Sequence, residues 1–277
     1  MALNLKTLGT RALSATVFVI LLLGCVLWNY YSFTIFFFVV AMIGLNEFYK
    51  IAETLNSRPY QGIGFASGIV AYAAFLNPEI LPESFSLILK PVLVVIPFLI
   101  LSVAMFSHRE HPISNALFTL AGIIYAVLPF ALLHSIRTFN TESFSRIILG
   151  VIFLIWSNDT FAYLGGSLFG KNKMIERISP GKTWEGTIFG VLVTFGISFL
   201  IKNFLVNDGT ALWPVLGIVV SVLATVGDLV ESMLKRQAGI KDSGKIMPGH
   251  GGVLDRFDSL IFVAPFVYFV FVVMKLL

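Results

Sequence analysis

Hydrophobic residues in this chain neither alternate with polar ones nor mark a single helix face. They come in long runs, cut at intervals by Gly, Pro or a cluster of charge. A helix needs about 20 predominantly apolar residues to cross the hydrocarbon of a bilayer, and punctuation of this kind marks the turns between crossings. Such runs lie approximately over 12–28, 31–48, 61–76, 88–106, 114–134, 146–166, 186–205, 211–230 and 259–276. The third contains "GIGFASGIVAYAAFL", short and rich in glycine, and only a "WNYY" corner separates the first two. The pattern predicts an all-α fold, a polytopic integral membrane helical bundle of about nine transmembrane helices.

Composition excludes the soluble alternative. Of 277 residues, 57% are hydrophobic and only 12% charged, and the mean hydropathy is +0.90. A water-soluble domain of this size carries far more surface charge, so the apolar excess faces lipid. The single cysteine, Cys25, excludes an intrachain disulfide. It ends a "LLLGC" stretch shaped like a lipoprotein cleavage box, but the chain runs straight on into apolar sequence, so the stretch reads as part of a span.

The net charge of +4 becomes informative once it is located. With an internal N-terminus and nine crossings, fourteen of the 19 Lys and Arg fall on the inner side, leaving Lys90, Arg137, Arg146, Lys202 and Lys275 outside. Lys and Arg collect in cytoplasmic loops, so the expected orientation is N-inside and C-outside. Residues 1–145 read as transmembrane helices with short loops, a supporting, lipid-facing region. Residues 146–277 read as a catalytic region, because they carry two long cytoplasmic segments, about 167–185 and 231–258, both basic and both containing acids.

Carboxylates within membrane spans cost a few kcal/mol each on insertion scales, which makes them functional candidates by default. Three stand out: Asp159 in "WSNDTFAYLGG", and Asp228 and Glu231 in "TVGDLVESMLKR". Asp228 and Glu231 are three apart and share a helical face. Farther on, "HGGVLDRFDS" places Asp255 and Asp258 at the same spacing, at a helix start where backbone N–H groups favour acids. Capping alone accounts for two such acids, but not for the density of Gly, Lys and His in the preceding "KDSGKIMPGHGG".

Taken together, Asp228, Asp255 and Asp258 are expected to meet at one membrane face and to offer hard oxygens to Mg2+, one ion or two. Around them the sequence supplies Lys235, Arg236, Lys241 and Lys245, with Lys171, Lys173, Arg177 and Lys182 from the other segment. Acids beside cations suit a metal and a polyanion: a nucleoside triphosphate or a phospholipid headgroup. Gly249, Gly251 and Gly252, with Gly165 and Gly166, permit close backbone approach to phosphate. Positive-inside topology and attraction to anionic lipid account for the basic residues equally well, and His250 reads as either a loop hydrogen-bonding residue or a catalyst.

The run "SMLKRQAGIKDSGKIMPGHGGVLDRFDS", Ser232 to Ser259, closely resembles the signature of phosphatidate cytidylyltransferases, also called CDP-diacylglycerol synthases. "SNDTFAYLGG" (157–166) and "SPGKTWEG" (179–186) resemble the same family. The resemblance implies transfer of a cytidylyl group from CTP to phosphatidic acid, giving CDP-diacylglycerol and pyrophosphate with a divalent metal. It implies Asp228, Asp255 and Asp258 as metal-facing acids, with Lys182 beside them as a catalytic cation and Asp159 in the nucleotide pocket. The substrate-binding residues expected with them are Asn158, Ser179, Thr183, Lys235, Arg236, Lys241, Asp242, His250, Gly251, Gly252 and Arg256. Members are integral membrane proteins and often dimeric, so a homodimer in a bacterial inner membrane is expected, its active site facing the cytoplasm, with no nucleic-acid partner.

Two readings of other kinds compete. Intramembrane acids also mark ion- or proton-coupled transporters, and a CTP-dependent lipid kinase differs only in which group of the nucleotide is transferred.

Overall fold

The computed structural model describes residues 5–206, 212–246 and 251–276. Ten α-helices account for most of them: α1 Leu5–Trp28, α2 Tyr30–Thr54, α3 Gln61–Ala73, α4 Glu83–Met105, α5 Pro112–Gly122, α6 Leu128–Ile136, α7 Phe144–Phe169, α8 Trp184–Leu200, α9 Leu212–Gln237 and α10 Leu254–Leu276. A π-helical turn, Ile123–Val127, joins α5 to α6 just before Pro129, which has no N–H to donate back along the helix. A second π-helical stretch, Ile201–Val206, extends α8.

Seven of the described helical segments are long and apolar enough to cross a membrane: Tyr30–Thr54, Glu83–Met105, Pro112–Ile136, Phe144–Phe169, Trp184–Val206, Leu212–Gln237 and Leu254–Leu276. The chain is therefore a helical integral membrane protein. Two of the nine expected runs fall short of that standard. In α1, Leu5–Trp28, the apolar stretch among the residues whose side chains are described is Ala12–Trp28. The 13 residues of α3 rise only about 20 Å at 1.5 Å each, against a hydrocarbon thickness of about 30 Å.

The expected helical bundle carries one small exception among the described residues. Within the 167–185 segment, β1 Lys173–Ile175 and β2 Ser179–Thr183 pair as an antiparallel hairpin, with Lys173 opposite Thr183, Ile175 opposite Ser179 and a register irregularity between them. Strands this short and polar leave too little alternation to be read from sequence.

The chain divides into two compact units, Met1–Ser135 with Gln237–Phe257, and Ile136–Arg236 with Asp258–Leu277. Most of the second polar segment thus groups with the N-terminal helices.

In the first unit the "WNYY" corner is a capping box. The Asn29 side chain accepts the Ser32 N–H at 2.8 Å, and Ser32 Oγ accepts the Asn29 N–H at 3.2 Å. Phe37, Phe130 and Phe257 pack ring against ring with centroids 5.5 to 6.0 Å apart. Fully buried His134, ringed by Tyr30, Phe33 and Tyr72, is a satisfied polar group: Nδ1 lies 2.9 Å from Tyr30 Oη and Nε2 2.7 Å from Tyr72 Oη, which donates to the Thr34 carbonyl at 2.8 Å. That donation leaves the Tyr72 oxygen to accept from Nε2–H, so Nδ1 accepts from Tyr30.

In the second unit α8 lies against α7 through Gly186 and Gly190. A Cβ at Gly186 would stand 2.5 Å from the Ala162 carbonyl oxygen, and one at Gly190 would stand 2.9 Å from the Ala162 Cβ. Glycines four apart let two backbones approach in a membrane, where close packing, not exclusion of water, holds helices together. Gly227 does the same for α9 and α10, since a Cβ there would be 2.6 Å from the Phe262 Cβ and 2.8 Å from the Asp258 carbonyl oxygen. The polar side chains on α7, α8, α9 and α10 are consequently held close together.

Candidate active site

The second unit contains a cavity of about 600 Å³. Its walls carry polar groups from successive elements: Asn158, Asp159 and Ser167 from α7, Ser179, Lys182 and Thr183 from β2, Thr187 from α8, and Thr225 and Asp228 from α9. The hairpin brings Lys182 inward, and Thr183 ends it by capping α8, its Oγ1 accepting the Gly186 N–H at 3.2 Å.

The central contact is an ion pair between Lys182 Nζ and Asp228 Oδ2, 2.6 Å apart. Lys182 also donates to the Thr225 carbonyl at 3.4 Å, and Asn158 Nδ2 donates to Thr225 Oγ1 at 3.2 Å. The other oxygen of Asp228 accepts from Ser232 Oγ at 3.2 Å. Asp258, one turn into α10, accepts the Ser259 N–H at 2.6 Å. It does not line the cavity, but Asp159, Asp228 and Asp258 are near enough to repel one another, opposed by Lys182 and Lys235. Lys235 is itself paired with Glu231. Asp159, Asp228, Asp258 and Glu231 thus stand beside Lys182 and Lys235, acids next to ammonium groups.

Six of the residues expected from sequence line this cavity: Asn158, Asp159, Ser179, Lys182, Thr183 and Asp228. Arg236 is exposed, and its Nε donates to the Ile178 carbonyl at 3.4 Å, tying α9 to the hairpin. Asp255 belongs to the first unit. There its Oδ2 accepts three hydrogen bonds, from the Gly252 N–H at 2.7 Å, the Ser243 N–H at 2.8 Å and Ser243 Oγ at 2.9 Å. Gly251 stands beside it with φ +85, a left-handed conformation that suits glycine. Lys241, Asp242 and Arg256 are exposed. Gly249 and His250 lie outside the described residues.

Sequence reasoning missed two residues that the structure makes prominent. Thr225 sits three positions before Asp228 on the same face of α9, a spacing that was there to be read. Glu47 is a carboxylate at the C-terminal end of the apolar run 31–48 in α2, which the rule that singled out Asp159 also selects. It is only 2% exposed. Its Oε1 accepts the Val253 N–H at 3.0 Å, and its Oε2 accepts the Leu254 N–H at 2.9 Å, with Ser243 Oγ 3.1 Å away.

Among the described residues, no group of three or more His, Cys, Asp or Glu stands close enough to hold a metal ion. Mg2+ does not require one. It commonly takes one or two protein carboxylates and completes its shell with water and substrate phosphate, and the hard oxygens of Asp228 and Asp258 fit that demand.

Fold and site together define a membrane-embedded protein whose polar cavity joins carboxylates to a lysine, the equipment of phosphate chemistry. The chain belongs to the cytidylyltransferase family, whose sequence model matches residues 9–274. It is 33% identical to a phosphatidate cytidylyltransferase of Staphylococcus epidermidis over 257 residues, 92% of this chain and 95% of that one. With the proteins of the same name from Staphylococcus saprophyticus and Staphylococcus aureus it shares 34% and 32% identity over the same proportions of each chain.

Proposed function

We propose that the chain is a nucleotidyltransferase that moves the cytidylyl group of CTP onto phosphatidic acid, forming CDP-diacylglycerol for phospholipid synthesis and releasing pyrophosphate. Family membership over nearly the whole chain is the observation that carries this reading, and the acid-and-lysine cavity among apolar helices supports it.

The chemistry asks little proton transfer of the protein. A phosphate monoester has a second pKa of about 6, so near neutral pH phosphatidate already presents an anionic oxygen. That oxygen forms a bond to the α-phosphorus of CTP as the bond between the α-phosphorus and the bridging oxygen breaks, and pyrophosphate carries away the electron pair. The obstacle is repulsion between two polyanions and the need for in-line geometry. Lys182 neutralises phosphate oxygens from the cavity wall and fixes Asp228 through its ion pair. Asp228 and Asp258 would hold Mg2+, and Asp159, exposed at the cavity, adds negative charge beside them. A divalent cation bound there supplies charge neutralisation to the triphosphate and to the leaving pyrophosphate. Asn158, Thr225 and Thr187 offer hydrogen-bonding groups to the nucleotide.

In this reading α1 and α3 count as crossings with the seven longer helices, the N-terminus is inside, the C-terminus outside, and the cavity faces the cytoplasm of a bacterial inner membrane. The bias of Lys and Arg toward one side supports that orientation, and the relatives named above are bacterial. A site at headgroup depth lets the lipid keep its acyl chains in the bilayer while its phosphate meets CTP.

The experiment supplies purified protein with Mg2+, phosphatidate in mixed micelles, and CTP labelled either in the cytosine ring or at the γ-phosphate. Cytosine label enters the lipid fraction and γ label stays in water as pyrophosphate. Lipid carrying γ label would instead establish a kinase, and lipid carrying neither label would remove the nucleotidyltransferase reading.

A further inference from the structure

The first unit contains a costly arrangement that the reaction above leaves unused. Glu47 is a buried carboxylate in an apolar helix, and a charge in that position is tolerated only with strong compensation. The compensation comes from backbone and hydroxyl groups up to 207 residues farther along the chain. Val253 and Leu254 present N–H groups at the very start of α10, where the first turn has no intrahelical acceptors. The positive end of the helix dipole favours the carboxylate there.

Neighbouring residues are shaped around it. A Cβ at Gly252 would stand 2.5 Å from both Glu47 oxygens, so glycine leaves the space the carboxylate fills. Ser243 Oγ lies between two acids, 3.1 Å from Glu47 Oε2 and 2.9 Å from Asp255 Oδ2. Asp255 in turn accepts the Gly252 N–H. A helix start ordinarily takes its cap from the adjoining residue. Here a local acid takes one N–H, and a distant acid on α2 takes the next two.

We infer that Glu47 is a positioning residue for the proposed reaction: it clamps the first turn of α10 and thereby sets the place of Asp258, one turn along the same helix. The N-terminal helices thus take part in turnover beyond their contact with lipid. This inference rests on the cytidylyl-transfer reading for its kinetic consequence, but not for its structural one.

Two variants and two readouts test it. Glu47→Ala removes both acceptors. Glu47→Gln keeps the shape and one acceptor oxygen, so it still reports if the alanine variant does not fold. A small displacement of a reacting group costs about 10²-fold in rate, so Glu47→Ala loses about 10²-fold in kcat with little change in the KM for CTP. Glu47→Gln recovers part of that loss. Hydrogen exchange shows the Val253 and Leu254 amides losing protection in both variants while α7 keeps its own. Wild-type kcat in both variants, a loss confined to KM, or deprotection spread evenly through the chain would overturn the inference. A wild-type protein that transfers no cytidylyl group defeats the functional reading instead, and hydrogen exchange then still decides whether Glu47 clamps the helix.

Discussion

Asp228→Asn and Asp258→Asn each lower cytidylyl transfer by at least about 10³-fold and leave the detergent-solubilised protein folded. Residues that merely support a metal ligand typically cost 10- to 100-fold when changed, so a loss beyond that range marks groups acting directly on the cation or the phosphates. Folding should survive for an electrostatic reason. Asp159, Asp228 and Asp258 repel one another, and neutralising one relieves repulsion in the free protein while removing a hard oxygen that only the metal-nucleotide complex needs. Turnover with each substrate, read beside a thermal melt, checks this. An unfolded Asp258→Asn protein would mean that the carboxylate serves the start of α10, not the reaction.

Lys182→Met produces the second large effect, a fall of about 10²-fold in kcat/KM, the scale of removing one positioned donor from a transition state. Its partner Asp228 is 34% exposed at the side chain and Lys182 itself 23%, so solvent screens the pair and its contribution to folding is about 1 kcal/mol or less. The loss should therefore appear in catalysis and not in the melt. Methionine keeps most of the aliphatic stem, which confines the change to the ammonium group. Titrating CTP at saturating phosphatidate separates the roles: a rise in KM alone assigns Lys182 to nucleotide binding, and a fall in kcat assigns it to the transition state.

Much of this was legible because a bilayer imposes long apolar runs that need no partner in the sequence to be recognised. The runs that became α2, α4, α7 and α9 follow directly from that rule. In α3 the helix stops at Ala73, three residues before the end of the apolar run, so hydrophobicity continued where helical structure did not. Asp159, Asp228 and Lys182 were legible as expensive or clustered charges, and the cavity does bring them together. Asp255 carries a local role that spacing alone does not state. Three residues before Asp258 it reads as a partner on one face, but an acid in the first turn of a helix also has unpaired backbone donors within reach, and it accepts the Gly252 N–H. The Glu47 clamp and the pairing of β1 with β2 depend on which segments meet in three dimensions. A single sequence states the donors and acceptors but not those meetings.

In the proposed reaction the cavity between α7, β2 and α9 receives the triphosphate. A structure determined with Mg2+ and a CTP analogue carrying a methylene bridge between its α- and β-phosphorus atoms tests it most directly. Triphosphate density is expected against Lys182 and Asp228, with a metal peak at the carboxylates of Asp228 and Asp258. Nucleotide bound on another surface, with the cavity holding only solvent at saturating analogue, would contradict it.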